Sequence, residues 1–153
     1  MTYTRKAINE VVIGKIYQRG QILTWPLQDK FDLLQTLNIK IVVNFWSKLD
    51  PDLSDAPIDL YIYMPKRRSI GMLDKDVEIA AKMVADLIKE KDDYAVLILC
   101  EAGKTRSVFF TILVDKYWFS IPLKVAYTYV NNIITKHSLK DFMIKYIEEG
   151  GAW

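Results

Sequence analysis

Apolar residues in this chain occur in blocks whose lengths and spacing separate strands from helices. Residues 39–46 and 60–64 are near-continuous apolar runs of strand length, which predict strands that are covered on both faces. A similar run over residues 94–99 predicts another strand. Residues 8–19 are rich in strand-favouring residues around Gly14, and they predict two short edge strands or one bulged hairpin.

Helical spacing of apolar residues follows two of these blocks. Residues 29–38 predict a short helix with Asp29 as its N-cap. Residues 74–91 predict a longer helix with Asp74 as its N-cap. In both, the apolar positions lie on one face, so we expect each helix to pack along that face.

The last third of the chain predicts three consecutive helices. Residues 107–119 are apolar nearly all round, which predicts a helix buried at the centre. Residues 122–135 start with Pro122 in a first-turn position, and Ser138 with Asp141 resembles a capping box that opens the final helix. Strands that alternate with helices and then give way to helices predict an α/β fold with a central, mostly parallel sheet flanked by helices.

Length and composition fit one ordinary globular domain. The chain has 153 residues and no repeat or Gly/Ser linker, so we expect a single domain over residues 1–153. A net charge of +2 is too small to indicate a nucleic acid or a membrane surface as partner. No window approaches the ~18 apolar residues of a membrane span, and the N-terminal MTYTRKAINE lacks a signal-peptide core. One cysteine allows no internal disulfide, so we expect a cytoplasmic protein.

Residues 100–107, CEAGKTRS, carry the most specific chemistry in the sequence. They follow the strand at 94–99 and open the apolar helix, an arrangement in which backbone N–H groups and a helix N-terminus attract phosphate. Arg106 adds a planar, charged fork for two phosphate oxygens. Cys100 would lie at the base of this cradle, where positive surroundings favour its thiolate. A lone cysteine after an apolar strand is usually an inert core residue, but the joint spacing of Cys, Gly, Arg and Ser favours a phosphate loop.

This loop resembles the Cys-x5-Arg-Ser/Thr signature of the cysteine-based protein tyrosine phosphatases, in particular the small dual-specificity phosphatases. Weaker similarities in KIYQRG, LNIKIVVNFW, LYIYMP and IPLKVAYTYVNN extend it over nearly the whole chain. The resemblance implies that Cys100 attacks phosphorus to form a phosphocysteine and that Arg106 stabilises the equatorial oxygens. Ser107 would help the thiolate leave, although a hydroxyl there could also simply cap the helix. The implied phosphate-binding residues are Glu101, Ala102, Gly103, Lys104, Thr105 and Arg106.

The same resemblance implies an enzyme that needs no cofactor and no metal and that acts on phosphorylated proteins. Phosphotyrosine, phosphoserine and phosphothreonine are the expected substrates, and phosphate or other oxyanions are the expected ligands of the loop. The family usually has His before the Cys, whereas this chain has Leu99. Its only histidine, His137, lies between predicted helices and reads as a solvated linker residue.

The general acid is the second departure from the family pattern. An Asp is usual shortly after the strand at 60–64, but this chain has Lys66, Arg67, Arg68 and Ser69 there. Asp59 precedes that strand and therefore lies at the wrong end of the sheet. Asp74 is the nearest carboxylate on the correct side and is the candidate acid, although a helix N-cap is its simpler role. Without an acid, aryl phosphates would be favoured over alkyl phosphates.

Three alternatives stay open at this stage. Lys104 with Lys66, Arg67 and Arg68 could form a basic rim for polyanionic substrates such as inositol phosphates or RNA 5′-phosphates, or these charges could simply be solvated. A pseudophosphatase would bind phosphate with little turnover. A rhodanese-like sulfurtransferase also has a cysteine in an anion-binding loop, but the Gly, Arg and Ser offsets argue against it.

Overall fold

Five strands form one sheet in the computed structural model, which describes residues 8–151. The first seven residues, which make up most of the stretch considered for a signal peptide, and the last two lie outside the described residues. The strands are β1 (Asn9–Val12), β2 (Ile16–Gly20), β3 (Ile39–Asn44), β4 (Leu60–Tyr63) and β5 (Ala95–Cys100).

The strand order is β1-β2-β5-β3-β4, and every pair is parallel except β1 with β2. The antiparallel pair is a hairpin with an irregular register between Glu10 and Val12, so the prediction of a bulged hairpin is confirmed. Only β1 of this hairpin lies at the edge of the sheet, because β2 also pairs with β5. The predicted α/β fold with a mostly parallel sheet is confirmed.

Helices cover both faces of the sheet, and none of those within residues 8–151 is long and apolar enough to cross a bilayer. Residues of α1 and α2 contribute to the core on one face, and residues of α3 to α6 contribute to the core on the other. The helices are α1 (Leu27–Thr36), α2 (Pro51–Ser54), α3 (Lys75–Glu90), α4 (Arg106–Phe119), α5 (Leu123–Ile133) and α6 (Asp141–Glu148). One turn of 3₁₀ helix (Ser69–Leu73) precedes α3.

Strand β5 supplies side chains to both cores, because successive residues of a strand point to opposite faces. Cys100 belongs to the α4 side, together with Val96 and Ile98. Leu99 belongs to the α1 side and is 2% exposed. The residue before the cysteine therefore points away from the side of the sheet on which Cys100 lies.

Four local predictions need correction. Helix α1 begins two residues before Asp29, after an N-cap at Pro26, so Asp29 lies in its first turn. Strand β4 is at the sheet edge and half-buried, not covered on both faces. Residues 47–57, whose Pro, Asp and Ser content predicts a loop, contain the short helix α2, which Asp50 caps by accepting from two backbone N–H groups. Helix α6 begins after Lys140, with no side-chain capping bond.

Helix α4 contains a buried carboxylic acid. Asp115 is fully buried, and neither of its carboxylate oxygens has a hydrogen-bond partner within residues 8–151. Burial raises the pKa of Asp115 to about 8. The neighbouring Tyr129 also has a raised pKa, first because it is desolvated and second because of the Asp115 charge. Between about pH 4 and pH 8, the raised pKa of Asp115 therefore keeps a proton on this carboxyl in the folded protein that the unfolded chain releases.

We predict that Asp115→Asn stabilises the protein in a pH-dependent way. The unfolded carboxyl ionises near pH ~4 and the folded one near 8, so its burial destabilises the native state increasingly as pH rises through that window. The variant should be more stable than wild type by roughly 4 kcal/mol at about pH 7, with little difference near pH ~4. Urea denaturation at several pH values measures this. The exposed Asp86→Asn is the control, and an Asp115→Asn effect that is constant with pH would contradict the prediction.

Candidate active site

The residues between β5 and α4 wrap a cavity at the carboxyl ends of the parallel strands. Cys100 ends β5, is 2% exposed and contributes to the cavity wall. Arg106 is the first residue of α4 and also lines the cavity. The cavity has a volume of about 210 Å³, and its other lining residues are Arg67, Ser69, Glu101, Ala102, Lys104, Thr105 and Lys140.

Two glycines set the shape of the Cys100 loop, here residues 100–107. Gly103 has φ +71°, in the left-handed region, and a Cβ on it would lie 2.3 Å from the backbone nitrogen of Gly20. A Cβ on Gly20 would lie 3.0 Å from the carbonyl oxygen of Glu101. Gln21 N–H donates to that same carbonyl at 3.1 Å. The end of β2 and the loop therefore meet backbone to backbone, which requires glycine at Gly103 and leaves little room for a side chain at Gly20.

The Arg106 guanidinium is held by two neighbouring loops. Its Nη1 donates to the carbonyl oxygens of Phe45 at 3.2 Å and Lys66 at 2.7 Å, which follow β3 and β4. Its Nε and Nη2 form no hydrogen bond with any of residues 8–151. The N–H groups of Nε and Nη2 are therefore available to donate hydrogen bonds to an anion in the cavity.

Ser107 lies behind the cysteine and is fully buried. Its Oγ is 3.0 Å from Cys100 Sγ. Gln18, a buried residue of β2, donates from Nε2 to Ser107 Oγ at 2.6 Å and to the Gly103 carbonyl at 2.8 Å. Sequence reasoning did not single out Gln18. The available signal was an amide in the middle of a predicted strand, between Tyr17 and Arg19.

Asp74, the candidate general acid, does not line the cavity. It occupies the N-cap position of α3 without capping it by its side chain. Its carboxylate instead pairs with Lys66 Nζ at 3.2 Å, and Asp76 pairs with the same nitrogen at 3.1 Å. Burial alone would lower the pKa of Lys66, but the hydrogen bonds and charges of Asp76 and Asp74 raise it above its ordinary value. Lys66 is thus engaged with α3, and of the three basic residues at 66–68 only Arg67 lines the cavity.

Lys140 is a cavity residue that sequence reasoning missed. It is there because the segment before α6 is bonded to the Cys100 loop, with Ser138 N–H donating to the Lys104 carbonyl at 2.8 Å. Thr105 Oγ1 donates in turn to the Ser138 carbonyl at 2.9 Å. Ser138 therefore binds the loop through its backbone. It does not cap the last helix, so the capping box predicted from the sequence is wrong.

The cavity is strongly cationic. Four of its lining side chains are cationic and one, Glu101, is anionic; the cations are Arg67, Lys104, Arg106 and Lys140. His137 is not part of it and bonds Asn131 through Nε2. Within residues 8–151, no three His, Cys, Asp or Glu side chains come together as a metal site.

Known proteins resemble this chain in structure and not in sequence. Neither the protein-family models nor the curated protein sequences contain a match to this chain. Solved structures do match. The Cydia pomonella PTP-2 phosphatase is 16% identical, with a TM-score of 0.73 over 93% of this chain and 88% of that one. PTPMT1 in complex with PI(5)P is 11% identical, with a TM-score of 0.73 over 94% of both chains.

A mouse putative dual specificity phosphatase complexed with zinc tungstate is 14% identical, with a TM-score of 0.67 over 98% of this chain and 89% of that one. At these identities the likeness concerns the fold. The chain has the α/β fold of the dual-specificity phosphatases of the protein tyrosine phosphatase superfamily, as the resemblance of its Cys100 loop implied.

We predict that Gly103→Ala is far more destabilising than Gly14→Ala. Both glycines have nearly the same φ, +71° and +72°, but a Cβ on Gly14 would meet nothing within 4 Å. Gly14→Ala should cost only the left-handed conformation, about 1 kcal/mol. Gly103→Ala adds a backbone clash, so its cost should exceed that of Gly14→Ala by about 2 kcal/mol or more. Chemical denaturation of both variants checks this, and equal losses would show that the loop can move away from β2.

Proposed function

We propose that this protein hydrolyses phosphomonoesters through a phosphocysteine on Cys100. The observation that carries the proposal is that Cys100 and Arg106 line the same cationic cavity, with Cys100 Sγ 3.0 Å from Ser107 Oγ. At neutral pH a phosphomonoester carries close to two negative charges, which the cavity cations and loop amides can stabilise. The dual-specificity phosphatase fold is compatible with this chemistry.

The reaction has two displacements at phosphorus. In the first, the Cys100 thiolate attacks, the P–S bond forms, and the P–O bond to the leaving alcohol breaks with its electron pair on oxygen. In the second, water attacks phosphorus and loses a proton to solvent, and the P–S bond breaks, which returns the electron pair to sulfur and releases inorganic phosphate. Arg106 and the amides of residues 101–106 stabilise the equatorial oxygens in both transition states.

Phosphorylated proteins are the substrates we propose first, with phosphotyrosine preferred over phosphoserine and phosphothreonine. Glu101 is the only carboxylate that lines the cavity within the described residues, and Asp74 is engaged by Lys66. A phenolate leaves without much help from an acid, whereas an alkoxide does not. Because the thiolate must stay reduced, we propose a reducing compartment such as the cytoplasm.

We predict that the protein releases phosphate from aryl phosphates much faster than from alkyl phosphates. General-acid help is worth ~10²–10⁴-fold for poor leaving groups, and its loss should appear as that difference in kcat/KM, which reports the step in which the alcohol leaves. Cys100→Ser should abolish all turnover, and Asp74→Asn should change it by less than about 3-fold because Asp74 is not at the cavity. A panel of phosphates with graded leaving groups measures both.

The outcomes distinguish the remaining interpretations. If aryl and alkyl phosphates were turned over equally fast, the proposed preference for aryl phosphates would be contradicted. If Asp74→Asn then slowed only the alkyl phosphates, Asp74 would be the general acid. Phosphorylation of Cys100 without release would instead identify a phosphate-binding pseudophosphatase.

Polyanionic substrates are the second candidate, and the cavity charges favour it. Four cations exceed the need of one phosphate dianion, and Lys140 and Lys104 belong to segments that hydrogen-bond to one another. PTPMT1, which shares the fold, has been crystallised with the phosphoinositide PI(5)P. An inositol phosphate or an RNA 5′-phosphate would supply the extra negative charge.

We predict that, if this second candidate holds, Lys104→Ala and Lys140→Ala lower kcat/KM for an inositol polyphosphate roughly 5- to 10-fold more than for a phosphotyrosyl peptide. The exposed Lys145→Ala on α6, which is outside the cavity, is the matched control and should affect neither. Equal losses on the two substrates would reject the polyanion candidate and retain the phosphoprotein.

A further inference from the structure

Gln18 occupies the centre of a chain of hydrogen-bonded polar groups that leads from the edge strand to the cysteine. The line runs from Asn9 on β1 through Gln18 on β2 to Ser107 and Cys100. From this geometry we infer that Gln18 is a positioning residue that forces the Ser107 hydroxyl to donate its hydrogen to Cys100 Sγ. The inference rests on the proposed function in taking Cys100 as the nucleophile.

The orientation of the Gln18 amide follows from its partners. One of its atoms lies 2.8 Å from the carbonyl oxygen of Gly103, and a carbonyl can only accept, so that atom is the NH₂ group. The other end of the amide, Oε1, accepts from Asn9 Nδ2 at 2.8 Å. Asn9 and Gln18 are directly opposite each other in the antiparallel pair, so the sheet register maintains this contact.

The direction of the remaining bonds follows from that orientation. Gln18 Nε2 is also 2.6 Å from Ser107 Oγ, so the serine oxygen accepts there. Within residues 8–151, Ser107 Oγ has one other hydrogen-bond partner, Cys100 Sγ at 3.0 Å. A hydroxyl has a single hydrogen, and its only acceptor here is the sulfur. The arrangement therefore presents a donor to sulfur, which stabilises the thiolate more than the neutral thiol.

This arrangement can contribute to both chemical steps. Before attack, it favours the ionised nucleophile. During hydrolysis, the electron pair of the breaking P–S bond returns to sulfur, and the hydrogen that Ser107 donates stabilises the charge that develops there. The side chain of Leu99, the residue before the cysteine, faces the opposite core and cannot donate a hydrogen bond to the sulfur. Gln18 also bonds Gly103, so one amide fixes both the loop and the donor behind its cysteine.

Alkylation of the single cysteine by iodoacetamide tests the inference directly. Intact-mass measurement on the full chain reports Cys100 alone, because the sequence contains no other cysteine. Gln18→Met removes both donors with little change in volume and should slow alkylation about 3- to 10-fold at about pH 7. Ser107→Ala should slow it at least as much. Adding Gln18→Met to Ser107→Ala should have no further effect, because Gln18 acts through that hydroxyl.

A merely structural role predicts the opposite sign. If Gln18→Met only loosened the loop, Cys100 would become more exposed and alkylation would become faster, in the Ser107→Ala background as well. Faster or unchanged alkylation, or equal slowing in both backgrounds, would overturn the inference. If Gln18→Met does not fold, Asn9→Leu tests the inference instead. It removes the hydrogen bond from Asn9 that fixes the Gln18 amide, and it should slow alkylation by less than the about 3- to 10-fold expected for Gln18→Met. The exposed Gln28→Met is the control and should leave the rate unchanged.

Alkylation requires no turnover, so this test and that of the proposed hydrolysis can fail separately. The expected alkylation pattern without phosphate release would reject the hydrolase and keep the positioning role. Phosphate release that Cys100→Ser abolishes, with alkylation unchanged by Gln18→Met, would keep the hydrolase and reject Gln18.

Discussion

The parallel alignment of β2, β5 and β3 is the constraint on which the candidate site depends. Gly20 pairs with Cys100, and Asn44 pairs with Leu99, so the three strands end at one level of the sheet. The segments that follow them consequently converge on one place. This convergence places the Gly20 backbone against the Cys100 loop and the Phe45 carbonyl under Arg106. A shift of one strand by one residue would move its side chains to the opposite core and separate these parts.

The sequence was most informative where one local segment carries the whole signal. Residues 94–107 predicted a strand, a loop and a helix because apolar runs flank a glycine-containing turn, and the structure has these elements in that order. The contacts of Gln18 and Lys140 could not be read in this way. The Gln18–Ser107 bond joins residues 89 positions apart, and Lys140 reaches the cavity only because Ser138 binds the loop. The same tertiary contact explains why the predicted capping box at Ser138 does not form.

Helix α4 combines an apolar sequence with a line of buried polar groups. Ser107, Thr111 and Asp115 are spaced four residues apart, so they lie along one side of the helix, and all are fully buried. The first two have partners, since Thr111 Oγ1 donates to the Ser107 carbonyl at 2.7 Å. Asp115, farther from the loop, has none within residues 8–151. Ser107 and Thr111 thus belong to the hydrogen-bond network behind Cys100. Asp115 lies outside that network, and its burial destabilises the native state.

Lys66 takes part in two regions through different atoms. Its carbonyl oxygen accepts from Arg106, and its ammonium group pairs with Asp74 and Asp76 at the start of α3. An anion that draws on the Arg106 guanidinium therefore acts on a residue whose other end anchors a 16-residue helix. Lys66 therefore connects the Arg106 guanidinium, through its backbone, with the first turn of α3, through its side chain. Replacing the Lys66 side chain would remove the contacts to Asp74 and Asp76 and leave the carbonyl that holds Arg106, so one residue links the cavity to α3 by two separable bonds.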